Sequence, residues 1–159
     1  MHDSKTIVKY LSQASALAEE NITKGGGPFG ALVVKGDQIV GRGFNQVTSI
    51  NDPTAHAEVQ AIRDACKNLG SFQLDDCVVY SSCEPCPMCL GALYWARPKA
   101  IYFASTRKDA AAAGFDDDLI YREIVLSAEQ RSIHTRGVPY EGHLRVFELW
   151  KSKQDRIEY

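Results

Sequence analysis

The sequence predicts an α/β protein, a three-layer α/β/α sandwich around a central mixed sheet of about five strands. Two observations support this fold class. Two short apolar runs with a turn between them come early in the chain, and helical and strand-like segments alternate after them. The length of 159 residues is enough for one buried core, so we expect a single domain over residues 1–159.

The first half of the chain predicts a helix, a β-hairpin and a second helix. Apolar residues recur at intervals of three and four after Ser4, the expected N-cap, and this pattern ends before the glycines at 25–27. Apolar runs over 29–34 and 39–44 flank a turn and predict the hairpin. After a polar loop, a helix is expected to begin at Thr54.

The second half of the chain alternates strands and helices and then becomes less regular. In chain order we expect a buried strand over 77–81, a helix over 87–96, a strand over 100–104, a helix around 119–124, an extended stretch near 137–139 and a last helix within 142–154. The Arg97-Pro98 pair marks the end of the first of these helices, because proline does not continue a helix.

Composition and charge argue against several classes of protein. No run approaches the ~18 apolar residues of a membrane-spanning helix, and the first residues lack the apolar core of a signal peptide. We therefore expect no membrane partner and a cytoplasmic protein, and the odd number of five cysteines suits a reducing compartment. The net charge of −2 weighs against a nucleic-acid partner, since proteins that grip a phosphate backbone usually have a basic balance or patch.

Two short motifs point to a catalytic metal site. Residues 56–58 (His-Ala-Glu) offer an imidazole and a carboxylate two residues apart, and residues 85–89 (Pro-Cys-Pro-Met-Cys) offer two thiols at i and i+3. The nitrogen and sulfur ligands would be His56, Cys86 and Cys89. Three such ligands without a fourth from the protein are typical of catalytic Zn²⁺, because the open position holds a water. One Zn²⁺ per site is therefore expected.

The carboxylate of Glu58 is the candidate proton carrier of this site. Bound Zn²⁺ lowers the pKa of its water from about 15.7 to about 7, and a carboxylate that is not a ligand can then move the proton. Each motif alone is a weaker signal, because Cys-x-x-Cys also occurs in redox pairs and in structural zinc sites. A structural site would need a fourth ligand, such as Cys83, His134 or His143, and would leave Glu58 without a role.

The chain resembles the cytidine deaminase-like superfamily and, more narrowly, the bacterial guanine deaminases. The pattern His-x-Glu followed by Pro-Cys-x-x-Cys is the signature of zinc nucleobase deaminases. Similar segments also lie at 26–30, 51–55, 94–98, 114–117 and 158–159. The resemblance implies zinc-dependent hydrolysis of guanine to xanthine and ammonia, with Glu58 as proton shuttle. A tRNA adenosine deaminase and a deaminase of another small base, such as cytosine, are the alternatives.

The same resemblance implies a set of substrate-binding residues. They are Asn45, Asp117, Tyr159, Phe29, Trp95 and Ala57. Asn45 would recognise the purine, Asp117 would accept from guanine N–H groups, and Tyr159 would complete the pocket. Plainer interpretations exist, since Asn45 suits a turn and residues 116–118 suit a solvated charge cluster. The resemblance further implies a homodimer that exchanges a C-terminal segment, about 130–159, so that Tyr159 serves its own site or the partner's.

Overall fold

The computed structural model describes residues 2–159, which divide into two compact units. The first unit extends to Asp117 and the second covers Asp118–Tyr159. The first unit contains the sheet and the helices that pack on it. No helix within residues 2–159 combines the length and the apolar character needed to cross a bilayer.

Within residues 2–159 the sheet has four strands, so the expected number of about five is one too many. The strands are β1 (Gly30–Lys35), β2 (Gln38–Phe44), β3 (Cys77–Cys83) and β4 (Ala100–Ser105). Their order is β2-β1-β3-β4, with β1 antiparallel to both of its neighbours and β3 parallel to β4, which confirms the hairpin and the mixed sheet. The extended stretch expected near 137–139 joins no strand pairing, and Pro139 has no N–H to offer to a ladder.

Helices cover both faces of this sheet, which confirms the three layers. Helix α1 (Ser4–Thr23) packs on one face, and α2 (Ala57–Leu69) and α3 (Pro87–Ala96) pack on the other. Successive side chains of a strand point to opposite faces. In β1, Leu32 therefore packs in the core beneath α1, whereas Val33 packs in the core beneath α2 and α3.

Two of the expected helix starts are wrong, that of α1 by one residue and that of α2 by three. Helix α1 has Asp3 as its N-cap, because the Asp3 carboxylate accepts from the Thr6 N–H at 2.7 Å. Helix α2 begins at Ala57 and not at Thr54. The reason is a local turn: the carboxylate of Asp52 accepts from both the N–H and the hydroxyl of Thr54 at 2.8 and 2.7 Å, which holds this residue outside the helix.

The first turn of α2 packs directly against the backbone of β2. A Cβ atom added at Gly43 would lie 2.0 Å from the carbonyl oxygen of Ala57 and 2.4 Å from the nitrogen of Ala61. Only a residue without a side chain permits this approach. The glycine therefore helps to place the start of α2, where the His-Ala-Glu motif lies, against the sheet.

The remaining helices are short. Helix α4 (Arg107–Ala112) was not expected, since its six residues carry no apolar stripe, and it begins at a capping box between Thr106 and Asp109. The second unit contains α5 (Asp118–Glu123) and α6 (Arg145–Ser152). These two helices confirm the expected helices near 119–124 and within 142–154, the first shifted by one residue and the second shorter than the expected range.

Candidate active site

The starts of α2 and α3 bring three metal-ligating side chains together. His56 is the N-cap of α2 and Cys86 is the N-cap of α3, and both have extended backbones with no side-chain bond to their own helix. Cys89 lies in the first turn of α3. The Nδ1 atom of His56 is 3.5 Å from the Cys86 sulfur and 3.4 Å from the Cys89 sulfur. The side chains of the two N-cap residues, His56 and Cys86, therefore do not cap their helices and instead face each other.

The geometry of this group fits Zn²⁺. Its three ligand atoms all lie within 4.8 Å of one another. A tetrahedral zinc with Zn–N of about 2.0 Å and Zn–S of about 2.3 Å separates nitrogen from sulfur by about 3.5 Å, close to the two distances found here. Among residues 2–159 the group contains three members, the number typical of a catalytic zinc site. The thiol of Cys83, a candidate fourth ligand, donates instead to the Thr106 carbonyl at 3.6 Å.

The two thiols of the group have opposite protonation tendencies. A hydrogen bond from Cys89, with a further one from His56, lowers the pKa of Cys86 to about 4. The pKa of Cys89 is raised, first because its proton is held in the bond to Cys86 and then by burial. The hydrogen bond with Cys86 also raises the pKa of His56. Zinc requires thiolates, so binding of the metal would displace the proton held by Cys89.

Glu58 lies next to this group in the first turn of α2. Its side chain is only 6% exposed, and burial raises the pKa of its carboxyl group. The hydroxyl of Ser81, on the fully buried strand β3, donates to Oε1 of Glu58 at 3.1 Å. Because burial makes this carboxyl group hold a proton more readily than an exposed one, it suits the role of a general acid and base.

Asn45 is the first residue after β2 and is buried. Its neighbour Gln46 donates its backbone N–H to the carbonyl of Ala55 at 2.9 Å, which links this loop to the residue before His56. The side-chain Oδ1 of Asn45 accepts from the Val47 N–H at 3.3 Å, and its Nδ2 amine has no acceptor among residues 2–159.

Ala57 and Asp117 also lie close to the metal-ligating group. Ala57 is buried between His56 and Glu58 as the first residue of α2, where backbone N–H groups have no partner within the helix. The carboxyl group of Asp117 interacts electrostatically with His56. Its pKa is raised, mainly by burial and then by the negative charge of Cys86.

The aromatic candidates and Tyr159 have different surroundings. Phe29 is half-buried and meets Phe115 edge to face, with ring centroids 4.9 Å apart. Trp95 is exposed near the end of α3, about 12 Å along the helix axis from Pro87 at 1.5 Å per residue. Tyr159 belongs to the second unit and is exposed.

Two residues of this region were missed by the sequence analysis. Ser81 hydrogen-bonds Glu58, and Asn21 hydrogen-bonds the backbone of Asn45 at 2.8 Å. Both have a sequence signal that could have identified them. Ser81 is a hydroxyl in a strand that is otherwise mostly apolar, and Asn21 is an amide on the apolar face of α1.

Comparison with known proteins identifies the family. A family model described as the cytidine and deoxycytidylate deaminase zinc-binding region matches residues 4–105. Guanine deaminase of Bacillus subtilis (strain 168) is 56% identical over 151 residues, which cover 94% of this chain and 97% of that protein. The X-ray structure of guanine deaminase from Bacillus subtilis matches with a TM-score of 0.95 and 53% identity, and the match covers 99% of both chains.

A tRNA-specific adenosine deaminase of Aquifex aeolicus is a more distant relative. It is 38% identical over 99 residues, which cover 62% of this chain and 66% of that protein. The guanine deaminase match therefore has both the higher identity and the greater coverage. From the zinc-binding family model and this nearly end-to-end similarity, we conclude that the chain belongs to the cytidine and deoxycytidylate deaminase zinc-binding family, among its guanine deaminases.

Proposed function

We propose that the protein is a zinc-dependent hydrolase that converts guanine and water to xanthine and ammonia. The observation that carries this proposal is the combination of a three-residue zinc group beside a buried Glu58 with 56% identity to a guanine deaminase. A tRNA adenosine deaminase is the weaker candidate, because the match to such an enzyme has lower identity and covers less of the chain.

The proposed zinc ligands are His56, Cys86 and Cys89, and the proposed catalytic residue is Glu58. Bound zinc supplies a Lewis acid that lowers the pKa of a water to about 7. Glu58 takes a proton from the attacking water and delivers it to the ring nitrogen next to C2 of guanine. The same carboxyl group then takes the second proton of that water, which is now on the C2 hydroxyl. As the bond from C2 to the amino nitrogen breaks, it transfers this proton to the departing amino group, so that C2 becomes a carbonyl carbon and ammonia leaves. Its burial and raised pKa suit both directions of transfer.

Four residues of the first unit are proposed to hold the base. The free Nδ2 amine of Asn45 is available to a purine acceptor, and the N–H of Ala57 points from a helix start, where donors are unpaired. The carboxylate of Asp117 would accept from guanine N–H groups. The half-buried ring of Phe29 offers a face on which a planar base can stack. The contact assigned to Trp95 stays a prediction.

Ammonia release by the zinc-loaded protein tests the proposed substrate. Guanine, adenine, cytosine, cytidine and a tRNA anticodon hairpin are supplied separately, and we expect turnover of guanine alone. Turnover of the hairpin without turnover of guanine would agree with zinc-dependent deamination but would refute guanine as the substrate. Turnover of cytosine alone would refute the purine contacts of Asn45 and Asp117.

We also propose a homodimer that exchanges a C-terminal segment, about 130–159, so that Tyr159 completes the partner's site. Support comes from the second unit, where none of the residues 118–159 is buried. Many of its large apolar side chains are exposed by 40% or more, among them Val146, Phe147, Leu149, Trp150 and Ile157. So many exposed large apolar side chains in a segment with no buried residue are usually covered in an assembly.

Mixing two inactive variants tests the exchange. Glu58→Gln removes the proton carrier, and Tyr159→Ala removes the proposed contact from the second unit. If Tyr159 serves the partner's site, mixed dimers contain one intact site, and refolding an equal mixture restores about a quarter of the wild-type activity. If Tyr159 serves its own site, the mixture stays as inactive as its components. Size-exclusion chromatography with light scattering reports the dimer independently.

The proposed setting is a single deaminase domain over residues 1–159 in the cytoplasm. The zinc-binding family model covers all three proposed ligands. All five cysteines are free thiols, as expected of a protein in a reducing compartment.

A further inference from the structure

The side chain of Asn21 is a buried amide with no role in the proposed mechanism. It lies near the end of α1 on the face that also buries Tyr10, Ala14 and Ala18, and it is 5% exposed. A buried polar side chain is costly unless it is hydrogen-bonded, so its partners indicate what it does.

The partners of Asn21 belong to two separate segments beside the candidate site. Its Nδ2 amine donates to the carbonyl of Gly27 and to the carbonyl of Asn45, each at 2.8 Å. Gly27 lies in the loop between α1 and β1, and Asn45 is the residue that follows β2. Both hydrogens of one amide therefore join the end of the first helix to the two segments that carry Phe29 and Asn45.

The backbone at Gly26 and Gly27 passes close to the two asparagine side chains. A Cβ atom at Gly26 would lie 2.3 Å from Nδ2 of Asn21, and one at Gly27 would lie 3.0 Å from Cγ of Asn45. The backbone N–H of Asn45 also donates to the Phe29 carbonyl at 3.1 Å. The two segments and the amide of Asn21 are thus joined in one hydrogen-bonded network.

We propose that Asn21 is a positioning residue for recognition of the base. By holding the carbonyl of Asn45, it sets the direction in which the Asn45 side chain projects and keeps its Nδ2 amine turned to the substrate. It does not touch the base itself. This inference rests on the proposed function, since it needs Asn45 to bind guanine. A displacement of about 1 Å at a binding group is enough to weaken a reaction strongly.

Steady-state kinetics with guanine distinguish positioning from a purely structural role. Asn21→Ser removes both donors from their acceptors, and Gly26→Ala displaces the amide without removing it. For both variants we expect KM to rise by about tenfold or more, since two buried hydrogen bonds are disturbed. We expect kcat to change by less than about threefold and zinc to stay at one per chain, because the ligands and Glu58 are untouched.

Asn68→Ser is the matched control. The amide of Asn68, on α2, also donates to a carbonyl of β2, that of Val40 at 2.9 Å, but far from Asn45 along the strand. We expect its KM to stay within about twofold of wild type. Thermal unfolding is recorded for all variants, and kinetics are measured well below each midpoint.

The outcomes separate this inference from the proposed function. If wild-type protein does not deaminate guanine, the proposed function fails. If wild-type protein is active and both Asn21→Ser and Gly26→Ala lower the unfolding temperature without raising KM, the amide is only structural and the inference is refuted. Should Asn21→Ser not fold, the KM of Gly26→Ala decides alone.

Discussion

Replacement of Glu58 by glutamine tests the proposed proton carrier at the lowest structural cost. Glutamine has the shape of glutamate and keeps an oxygen for the Ser81 hydroxyl, which donates to Glu58 at 3.1 Å. It does not exchange a proton at neutral pH, and solvent does not easily replace a side chain that is 6% exposed. One positioned acid or base contributes about 10²–10⁴-fold to a rate. We expect kcat to fall by about 10³-fold, which raises the activation free energy by about 4 kcal/mol.

The same variant should fold and bind zinc as well as the wild type. Burial raises the pKa of Glu58, so the folded protein disfavours its charged form. A neutral amide of the same size avoids that desolvation. We therefore expect an unfolding temperature equal to or above that of wild type.

The assay follows guanine consumption by ultraviolet absorbance, with zinc measured by inductively coupled plasma mass spectrometry. Glu20→Gln is the control, because it makes the same substitution at an exposed position of α1. There Glu20 pairs with Lys24. Its kcat should equal that of wild type. Retention of more than about a tenth of the wild-type kcat by fully zinc-loaded Glu58→Gln would refute Glu58 as the proton carrier.

Further predictions concern the support of this site. Ser81→Ala should lower kcat by about tenfold or more without loss of zinc, since a hydrogen bond to a charged group is worth about 1.5–3 kcal/mol. Ser81→Thr keeps the hydroxyl and should restore kcat. An unchanged kcat in Ser81→Ala would exclude a role of Ser81 in supporting Glu58. Gly43→Ala should lower stability by about 1–3 kcal/mol and weaken zinc binding, because its Cβ would meet the Ala57 carbonyl at the start of α2; an unchanged zinc titration would argue against it. Removal of zinc by a chelator should abolish turnover and lower the unfolding temperature, since a ligand bound to the native state stabilises it, and added Zn²⁺ should restore both; turnover by metal-free protein would contradict the zinc mechanism.

The metal site was predictable because its chemistry is contained in residue types and short spacings. His56, Cys86 and Cys89 lie in two motifs of a few residues, and the structure brings them together as a group that fits zinc. The hairpin and the helices that carry the motifs were predictable for the same local reason, since apolar periodicity reflects the faces that each element buries.

Helix ends and strand number were less predictable because they depend on competing local bonds. The helix expected at Thr54 begins at Ala57, since Asp52 holds Thr54 in a turn. The number of strands likewise depends on which extended segments pair with a neighbouring strand, and residues 137–139 pair with none.

The sequence by itself determined the layered fold class, the three candidate zinc ligands that the structure groups together, and the carboxylate beside them. Only the tertiary structure decided which residues support that chemistry. Asn21 reaches Asn45 across 24 positions of the chain, and Ser81 reaches Glu58 across 23. Such contacts follow from strand order and from close packing of helix on sheet. No local spacing records them, because residues this far apart in the chain are brought together by the packing of α1, α2 and the sheet.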